Sequence, residues 1–150
     1  MSNFKILITG GLGYIGGRIA DFLKTNHPAS CIVLGTSREI KKIPNWAKSF
    51  QIVRLNILNT ASVEKAVSSD FDVIIHLAAL NEHDSLGDIK SAWETNALGT
   101  QSLLSVASEK KVSKFIYFST VQVYGKLPSK LIKEDFDPNP TNAYGLCHLL

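Results

Sequence analysis

The sequence has few cysteines and no long uninterrupted apolar run, and these two absences argue against whole classes of protein. Its 150 residues include only two cysteines, Cys31 and Cys147, which form no CxxC pair and no spacing typical of metal ligands. We therefore expect free thiols in a reducing compartment rather than a disulfide framework. No apolar run approaches the ~20 residues of a membrane span, and the features of a signal peptide are missing at the N-terminus. We expect a cytoplasmic protein without a membrane partner.

The sequence also lacks a marked excess of charge of either sign. Sixteen Lys and Arg residues oppose thirteen Asp and Glu residues, which gives a net charge of +3. The lysines are scattered and are not interleaved with aromatic residues, so we expect a solvated surface and no nucleic-acid partner. No group of carboxylates and histidines has the spacing of metal ligands, so we predict no metal site. The length and the hydrophobic content of 45% fit one domain spanning residues 1–150.

The most informative stretch of the sequence is residues 5–16. An apolar strand leads directly into glycines at positions 10, 13 and 16, and a helical apolar pattern follows over residues 14–26 with Ile15, Ile19, Phe22 and Leu23 on one face. Gly10 permits a sharp turn, Gly13 lets the backbone approach a phosphate, and Gly16 lets the helix pack closely. The free N–H groups of the first helical turn, at Tyr14 and Ile15, would face the anion. A glycine-rich turn without function fits the same letters, but its position between a strand and a helix favours a dinucleotide site.

The rest of the chain alternates strands with helices. Strands are predicted at residues 31–34, 51–55, 72–77 and 114–119, and helices at residues 61–67, 89–108 with an interruption at Gly99, and from 142 onward. The strands are nearly continuously apolar, as in parallel sheets covered on both faces. We therefore predict an α/β fold with a doubly wound parallel sheet, the Rossmann fold, in the strand order 3-2-1-4-5.

The end of the second strand carries no acidic residue. NAD-binding domains usually place a carboxylate about 20 residues beyond the glycines to bind the ribose 2′-hydroxyl, and Gly35 stands at this position. Thr36, Ser37 and Arg38 follow, two hydroxyls and a guanidinium that suit a 2′-phosphate. An ordinary polar loop with a solvated arginine is the alternative. The pattern favours NADP as cofactor, with NAD as the second choice.

Several motifs, taken together, carry a resemblance to a known family. Residues 9–16, Thr-Gly-Gly-Leu-Gly-Tyr-Ile-Gly, resemble the TGxxGxxG fingerprint of the extended short-chain dehydrogenases/reductases, the NAD(P)-dependent epimerase/dehydratase group that acts largely on nucleotide sugars. The resemblance continues in order through residues 56–57, 76–79, 96–100, 119–125 and 134–145. It covers essentially the whole chain and implies an enzyme with a nucleotide sugar as substrate.

The resemblance also implies roles for individual residues. It places Asn56, where the family has Asp, and Ile57 at the adenine, and it places the remaining cofactor-binding residues at Leu77, Ala78, Ala79 and Asn96. It assigns the catalytic hydroxyl to Thr120 and the catalytic tyrosine and its partner, which would also contact the cofactor, to Tyr144 and His148. His76, at the end of an apolar strand, we interpret instead as a buried imidazole with its hydrogen bonds satisfied.

Hydride transfer from an alcohol requires a base and a hydrogen-bond donor, which a tyrosine and a threonine can provide. Removing hydride from a carbinol carbon requires a base that takes the hydroxyl proton beside the nicotinamide. A tyrosine can do this when neighbouring positive charge lowers its pKa from the ordinary ~10. A hydroxyl such as that of Thr120 would hold the substrate oxygen in position.

Two features depart from the family pattern. Members commonly run to about twice this length, so we expect the chain to lack a C-terminal substrate-binding part and to stop within an unfinished helix. The lysine of the family's YxxxK motif is replaced by His148. Both departures leave open an alternative class, a non-catalytic dinucleotide-binding module that senses or scaffolds. The resemblance further implies a homodimer that packs through the long helix and the last one.

Overall fold

The computed structural model of this chain describes residues 3–37, 43–126 and 131–150. The chain forms two compact units. We call the first the sheet unit, made of Met1–Ala78 and Thr100–Phe118, and the second the helical unit, made of Ala79–Gly99 and Ser119–Leu150. Within the described residues, no helix combines the length and the apolar character that crossing a membrane would require.

The sheet unit contains a five-stranded parallel sheet. Its strands are β1 (Lys5–Thr9), β2 (Cys31–Thr36), β3 (Gln51–Arg54), β4 (Val73–His76) and β5 (Lys114–Tyr117). The strand order is β3-β2-β1-β4-β5, which confirms the predicted topology. Leu7 in the central strand lies opposite Val33 of β2 and Ile74 of β4. Because all strands run the same way, their carboxyl ends share one edge, where ligands of such sheets bind.

In the described part of the chain, six α-helices accompany the strands. They are α1 (Tyr14–Asn26), α2 (Thr60–Ala66), α3 (Glu82–Gly87), α4 (Ile89–Ala92), α5 (Thr100–Glu109) and α6 (Ala143–Leu149), together with a π-helical segment at Trp93–Gly99 and 3₁₀ segments at Asn45–Ser49 and Val121–Tyr124. In the sheet unit, α1 and the first 3₁₀ segment cover one face of the sheet, and α2 and α5 cover the other. Alternate residues of the strands accordingly divide between two apolar clusters, with Ile6 and Ile8 in one and Leu7 in the other.

Only part of the apolar face of helix α1 packs on the sheet. Gly16 and Ala20 are buried and Ile19 and Leu23 pack against the core, whereas Ile15 and Phe22, from the same apolar face, are exposed. The closest contact of a helix on a strand needs its smallest residues, so the glycine and the alanine define the buried stripe. The apolar periodicity alone did not reveal this division.

The predicted helix over residues 89–108 is divided into α4, the π-helical segment and α5, and the change to regular α-helix comes directly after Gly99. In α5, Leu103 and Ala107 are buried, whereas Leu104, and Trp93 in the preceding segment, are exposed although all four would lie on one face of a continuous helix. A π turn bonds residue i to i+5 and so rotates the following residues out of the regular 3.6-residue phase. A face extrapolated across this segment with a constant period is therefore wrong.

Candidate functional site

The turn between β1 and α1 has the backbone geometry that only its glycines allow. Gly10 has a φ of +65°, a conformation that favours glycine. A Cβ on Gly10 would lie 3.1 Å from the backbone of Leu77 and Ala78, which follow β4. A Cβ on Gly16 would lie 2.7 Å from the Gly10 carbonyl oxygen, so α1 rests directly on the turn. These contacts agree with the roles predicted for the first and third glycines.

The middle glycine is crowded on one side only. Among the described residues outside its chain neighbours, a Cβ on Gly13 would press on the Gly10 carbonyl oxygen, at 3.1 Å, and would meet nothing else within 4 Å. Gly13 is also the N-cap of α1 and provides no side-chain acceptor for the first helical turn. Tyr14 and Ile15 are exposed, Tyr14 at 85%. The backbone N–H groups at the start of this 13-residue helix are therefore presented to a ligand, together with the positive end of the helix dipole.

A buried hydrogen-bond network holds β1 against the end of β4. The Thr9 hydroxyl oxygen accepts the Leu77 and Ala78 N–H groups, both at 3.1 Å. Since these two bonds use its lone pairs, its own proton points to His76 Nδ1, 2.6 Å away. His76 is therefore the tautomer with its proton on Nε2, which lies 2.9 Å from the Thr100 hydroxyl. The interpretation of His76 as a buried, satisfied imidazole is confirmed, whereas the part of Thr9 was missed from the sequence.

The residues proposed for the 2′-phosphate fall into three different situations. Thr36 is the last residue of β2 and is 5% exposed, so it offers little surface to a ligand. Ser37 is exposed at the carboxyl edge of the sheet. Arg38 lies outside the described residues. Gly35 connects this strand end to the glycine turn, since its carbonyl accepts the Gly11 N–H at 3.0 Å.

The pair proposed for the adenine follows β3. The Asn56 side-chain oxygen accepts the Leu58 N–H at 3.1 Å, which forms a local Asx turn and leaves the NH₂ group as the part that can meet a base. Ile57 is buried in the apolar cluster with Leu7 and Val33. Any contact of Ile57 with an adenine would therefore come from its backbone, because its side chain is packed in the core.

Asn96 fixes the chain beyond β4 inside the helical unit. It is 1% exposed, its side-chain oxygen accepts the Leu80 N–H at 2.7 Å, and its NH₂ group donates to the Leu80 carbonyl at 3.0 Å. The Asn96 side chain thus bonds both backbone groups of Leu80, as a neighbouring strand would. Both ends of the Asn96 amide hold the backbone next to Ala79, which is exposed, and the cofactor contact expected for Asn96 stays a prediction.

The three predicted catalytic residues all belong to the helical unit. Tyr144 and His148 lie one turn apart on α6, with ring centroids 4.5 Å apart in an edge-on arrangement. Thr120 caps the 3₁₀ segment through a 3.3 Å bond from the Gln122 N–H. That segment is tied to α6 because the Asn142 amide, which caps the helix, donates to the Gln122 side chain at 2.7 Å. Thr120, Tyr144 and His148 thus lie in the same unit, and their catalytic roles stay predictions.

The contact between α6 and the 3₁₀ segment depends on a small residue. A Cβ on Gly145 would lie 2.5 Å from the Gln122 carbonyl oxygen. A cavity of about 420 Å³ opens beside the same segment. Its walls include Thr120, which carries the proposed catalytic hydroxyl, and Tyr124 of the 3₁₀ segment. Lys133 and Glu134, from the following loop, contribute charged groups. The cavity thus brings a hydroxyl and groups of both charges to one opening.

His148 is only 6% exposed. Burial disfavours the charged imidazolium and lowers the pKa of His148 below its ordinary value near 6.5. At neutral pH the ring is therefore present mainly without charge. A lysine at this position would carry a full positive charge beside Tyr144, so the substitution changes the electrostatics of the predicted catalytic pair.

The strand order and the strand-turn-helix geometry define the chain as a Rossmann-fold domain. The model of the NAD dependent epimerase/dehydratase family matches residues 6–150, and the chain belongs to this family. A dTDP-D-glucose 4,6-dehydratase of Dictyostelium discoideum is 37% identical over 143 residues, which cover 90% of this chain and 32% of that protein. A dTDP-glucose 4,6-dehydratase of Streptomyces niveus is 32% identical, with 93% of this chain and 45% of the relative covered.

Solved structures agree with this assignment. The UDP-glucose 4-epimerase from Brucella ovis, determined in complex with NAD, superposes with a TM-score of 0.85 at 28% identity. The alignment covers 99% of this chain and 45% of the epimerase. The chain therefore spans between about a third and a half of the length of these relatives.

Proposed function

We propose that this chain binds a nicotinamide dinucleotide at the glycine turn, and that the protein acts as an NAD(P)-dependent oxidoreductase of the epimerase/dehydratase type on a nucleotide sugar. The observation that carries the proposal is the approach to the backbone at Gly13, where a Cβ would crowd the Gly10 carbonyl oxygen at 3.1 Å and no other described residue outside its chain neighbours lies within 4 Å. The uncapped N–H groups of α1 face the same space and suit a pyrophosphate. The family and its relatives support the substrate class.

The residues of this chain would divide the work as follows. The turn and the start of α1 hold the pyrophosphate, and the backbone after β4, which Thr9 and Gly10 position, borders the nicotinamide side. When bound, the nicotinamide supplies the hydride acceptor and donor. Thr120 donates a hydrogen bond to the substrate oxygen, and Tyr144 takes its proton. The neutral His148 gives this tyrosine less electrostatic support than a lysine would.

We further propose that NADP(H) binds more tightly than NAD(H), because Gly35 offers no carboxylate and Arg38 offers a guanidinium fork. A charge-assisted pair contributes roughly 1.5–3 kcal/mol, or about ten- to a hundredfold in affinity. Arg38→Ala should remove most of the difference when both cofactors are titrated by calorimetry. Equal affinities in the wild type, or a reversed order, would contradict the preference.

The enzymatic proposal is tested by incubating the intact protein with each cofactor and a panel of nucleotide sugars, followed by absorbance at the nicotinamide band and by product analysis. Turnover of a nucleotide sugar supports the enzyme. Cofactor binding without turnover on any of them would favour the alternative, a dinucleotide-binding module without chemistry. Absence of cofactor binding would refute both.

A further inference from the structure

The sheet unit contains a cleft beside α1 that none of the residue roles above explains. Its volume is about 360 Å³. We call it the α1 cleft and define it by Leu12, Gly13, Tyr14, Arg18, Asp21 and Trp46. Three of these residues belong to the glycine turn and the first residue of α1, so the cleft begins where the proposed pyrophosphate site ends.

The position of the α1 cleft within the sheet unit identifies the half of a dinucleotide that it would meet. Its far wall is Trp46, in the 3₁₀ segment of the connection between β2 and β3. The indole edge can approach α1 because Gly17 has no side chain, and a Cβ there would lie 3.0 Å from the ring. The backbone after β4 lies on the opposite side of the turn, against Gly10. In a doubly wound sheet the adenosine half extends toward β2 and the nicotinamide half toward β4, so the cleft is on the adenosine side.

The polar groups of the α1 cleft include one cation, Arg18, which has no partner among the described residues. Within the described residues, the Arg18 side chain makes no hydrogen bond or ion pair. Asp21, three residues further along the helix, contributes a carboxylate to the same cleft but does not pair with Arg18. A guanidinium is the side chain best suited to grip a phosphate, whereas the carboxylate disfavours an anion placed deeper along α1. The charge therefore favours a phosphate near the Tyr14 end.

We infer that the α1 cleft is a subsite for the 2′-phosphate of NADP, with Arg18 as a specificity-determining residue and Trp46 as its apolar wall. This inference rests on the proposed dinucleotide function. The Arg18 guanidinium binds the 2′-phosphate, and NAD, which has a hydroxyl there, gains nothing from it. Arg18 thus acts on the same phosphate as the one we propose for Arg38, so the loss of either guanidinium should lower the preference for NADP.

The test measures NADP⁺ and NAD⁺ affinities by calorimetry for the intact protein, for Arg18→Gln and for Lys65→Gln. The control removes the same charge from the surface helix α2, outside the cleft. Arg18→Gln should weaken NADP⁺ binding about tenfold and change NAD⁺ binding less than about twofold. Lys65→Gln should change neither. Arg18→Lys should restore part of the NADP⁺ affinity, because it returns the charge without the fork.

Tryptophan fluorescence supplies a second readout that locates the ligand. Saturating NADP⁺ should change the emission of the wild type and of Trp93→Phe but not that of Trp46→Phe, because Trp46 is the tryptophan in the cleft. Equal losses of NADP⁺ and NAD⁺ affinity in Arg18→Gln, no loss at all, or an emission change that survives Trp46→Phe would overturn the subsite. A wild type that binds neither dinucleotide would instead refute the proposed function itself.

Discussion

Replacing Thr9 with valine removes a hydroxyl that three groups use at once, and we expect a large loss of stability. Valine replaces the hydroxyl of the fully buried Thr9 with a methyl group of similar size, so the loss comes from the hydrogen bonds rather than from a cavity. The Leu77 and Ala78 N–H groups lose their acceptor, and His76 Nδ1 loses its donor. A buried polar group left without a partner costs about 1–3 kcal/mol. The two N–H bonds are longer and only partly buried, so each belongs at the lower end of this range.

The total expected for Thr9→Val is therefore at least about 3 kcal/mol, since each of the three groups loses about 1 kcal/mol or more. For a chain of this length the change corresponds to a fall of about 6–12 °C in the melting temperature. Urea unfolding followed by circular dichroism measures the free energy directly. Thr25→Val is the matched control, because its hydroxyl bonds only the Asp21 carbonyl on the exposed side of α1, and we expect a change within about 0.5 kcal/mol. If Thr9→Val costs less than about 1 kcal/mol, or no more than the control, the network does not hold β4 as argued.

Three further predictions concern the turn and the last helix. Gly13→Val should abolish dinucleotide binding in calorimetry at a stability cost of about 1 kcal/mol, because the branched side chain fills the open approach and valine is a poor N-cap; a folded variant that binds normally would show that the pyrophosphate lies elsewhere. His148→Lys in the intact protein should raise a slow hydride-transfer rate near pH 7 and move the pH profile downward, and stopped-flow rates that stay the same in both respects would contradict the role given to His148. Burial lowers the pKa of folded His148, so below about pH 6.5 the unfolded chain binds more protons and stability falls, by at most about 1.4 kcal/mol per pH unit. Urea midpoints between pH 7.5 and 5.5 should fall less for His148→Gln than for the wild type, and parallel slopes would refute this.

The glycine turn and the strand order were predictable because the sequence encodes them locally. Gly10, Gly13 and Gly16 have three-residue spacing between a strand and a helix, and each meets a steric requirement that no other residue satisfies as well. The parallel order follows from the alternation of strands and helices together with the rules for their connections. Neither inference needs knowledge of distant contacts.

The roles of Asn96, Ile57 and Thr36 depend on contacts that no local pattern reveals. Asn96 bonds the backbone of Leu80, sixteen residues away, and the same motif letters would fit a side chain that reaches a cofactor. Ile57 and Thr36 stand where the chain leaves a strand, and one residue of displacement decides between the core and the ligand edge. The π-helical segment adds a phase shift that a constant helical period misses.

The pairing of β1 with partners from both halves of the sheet has a consequence for synthesis of the chain. One edge of β1 pairs with β2, which is synthesised soon after it. The other edge pairs with β4, and the free edge of β4 pairs with β5, which is synthesised last of the five strands. At ribosomal rates of about 5–20 residues per second, β5 emerges roughly 5–20 s after β1. During that interval the nascent sheet exposes an apolar strand edge, which can template wrong pairing. Shielding of the nascent chain between β2 and β5 should therefore lower the risk of wrong strand pairing during synthesis.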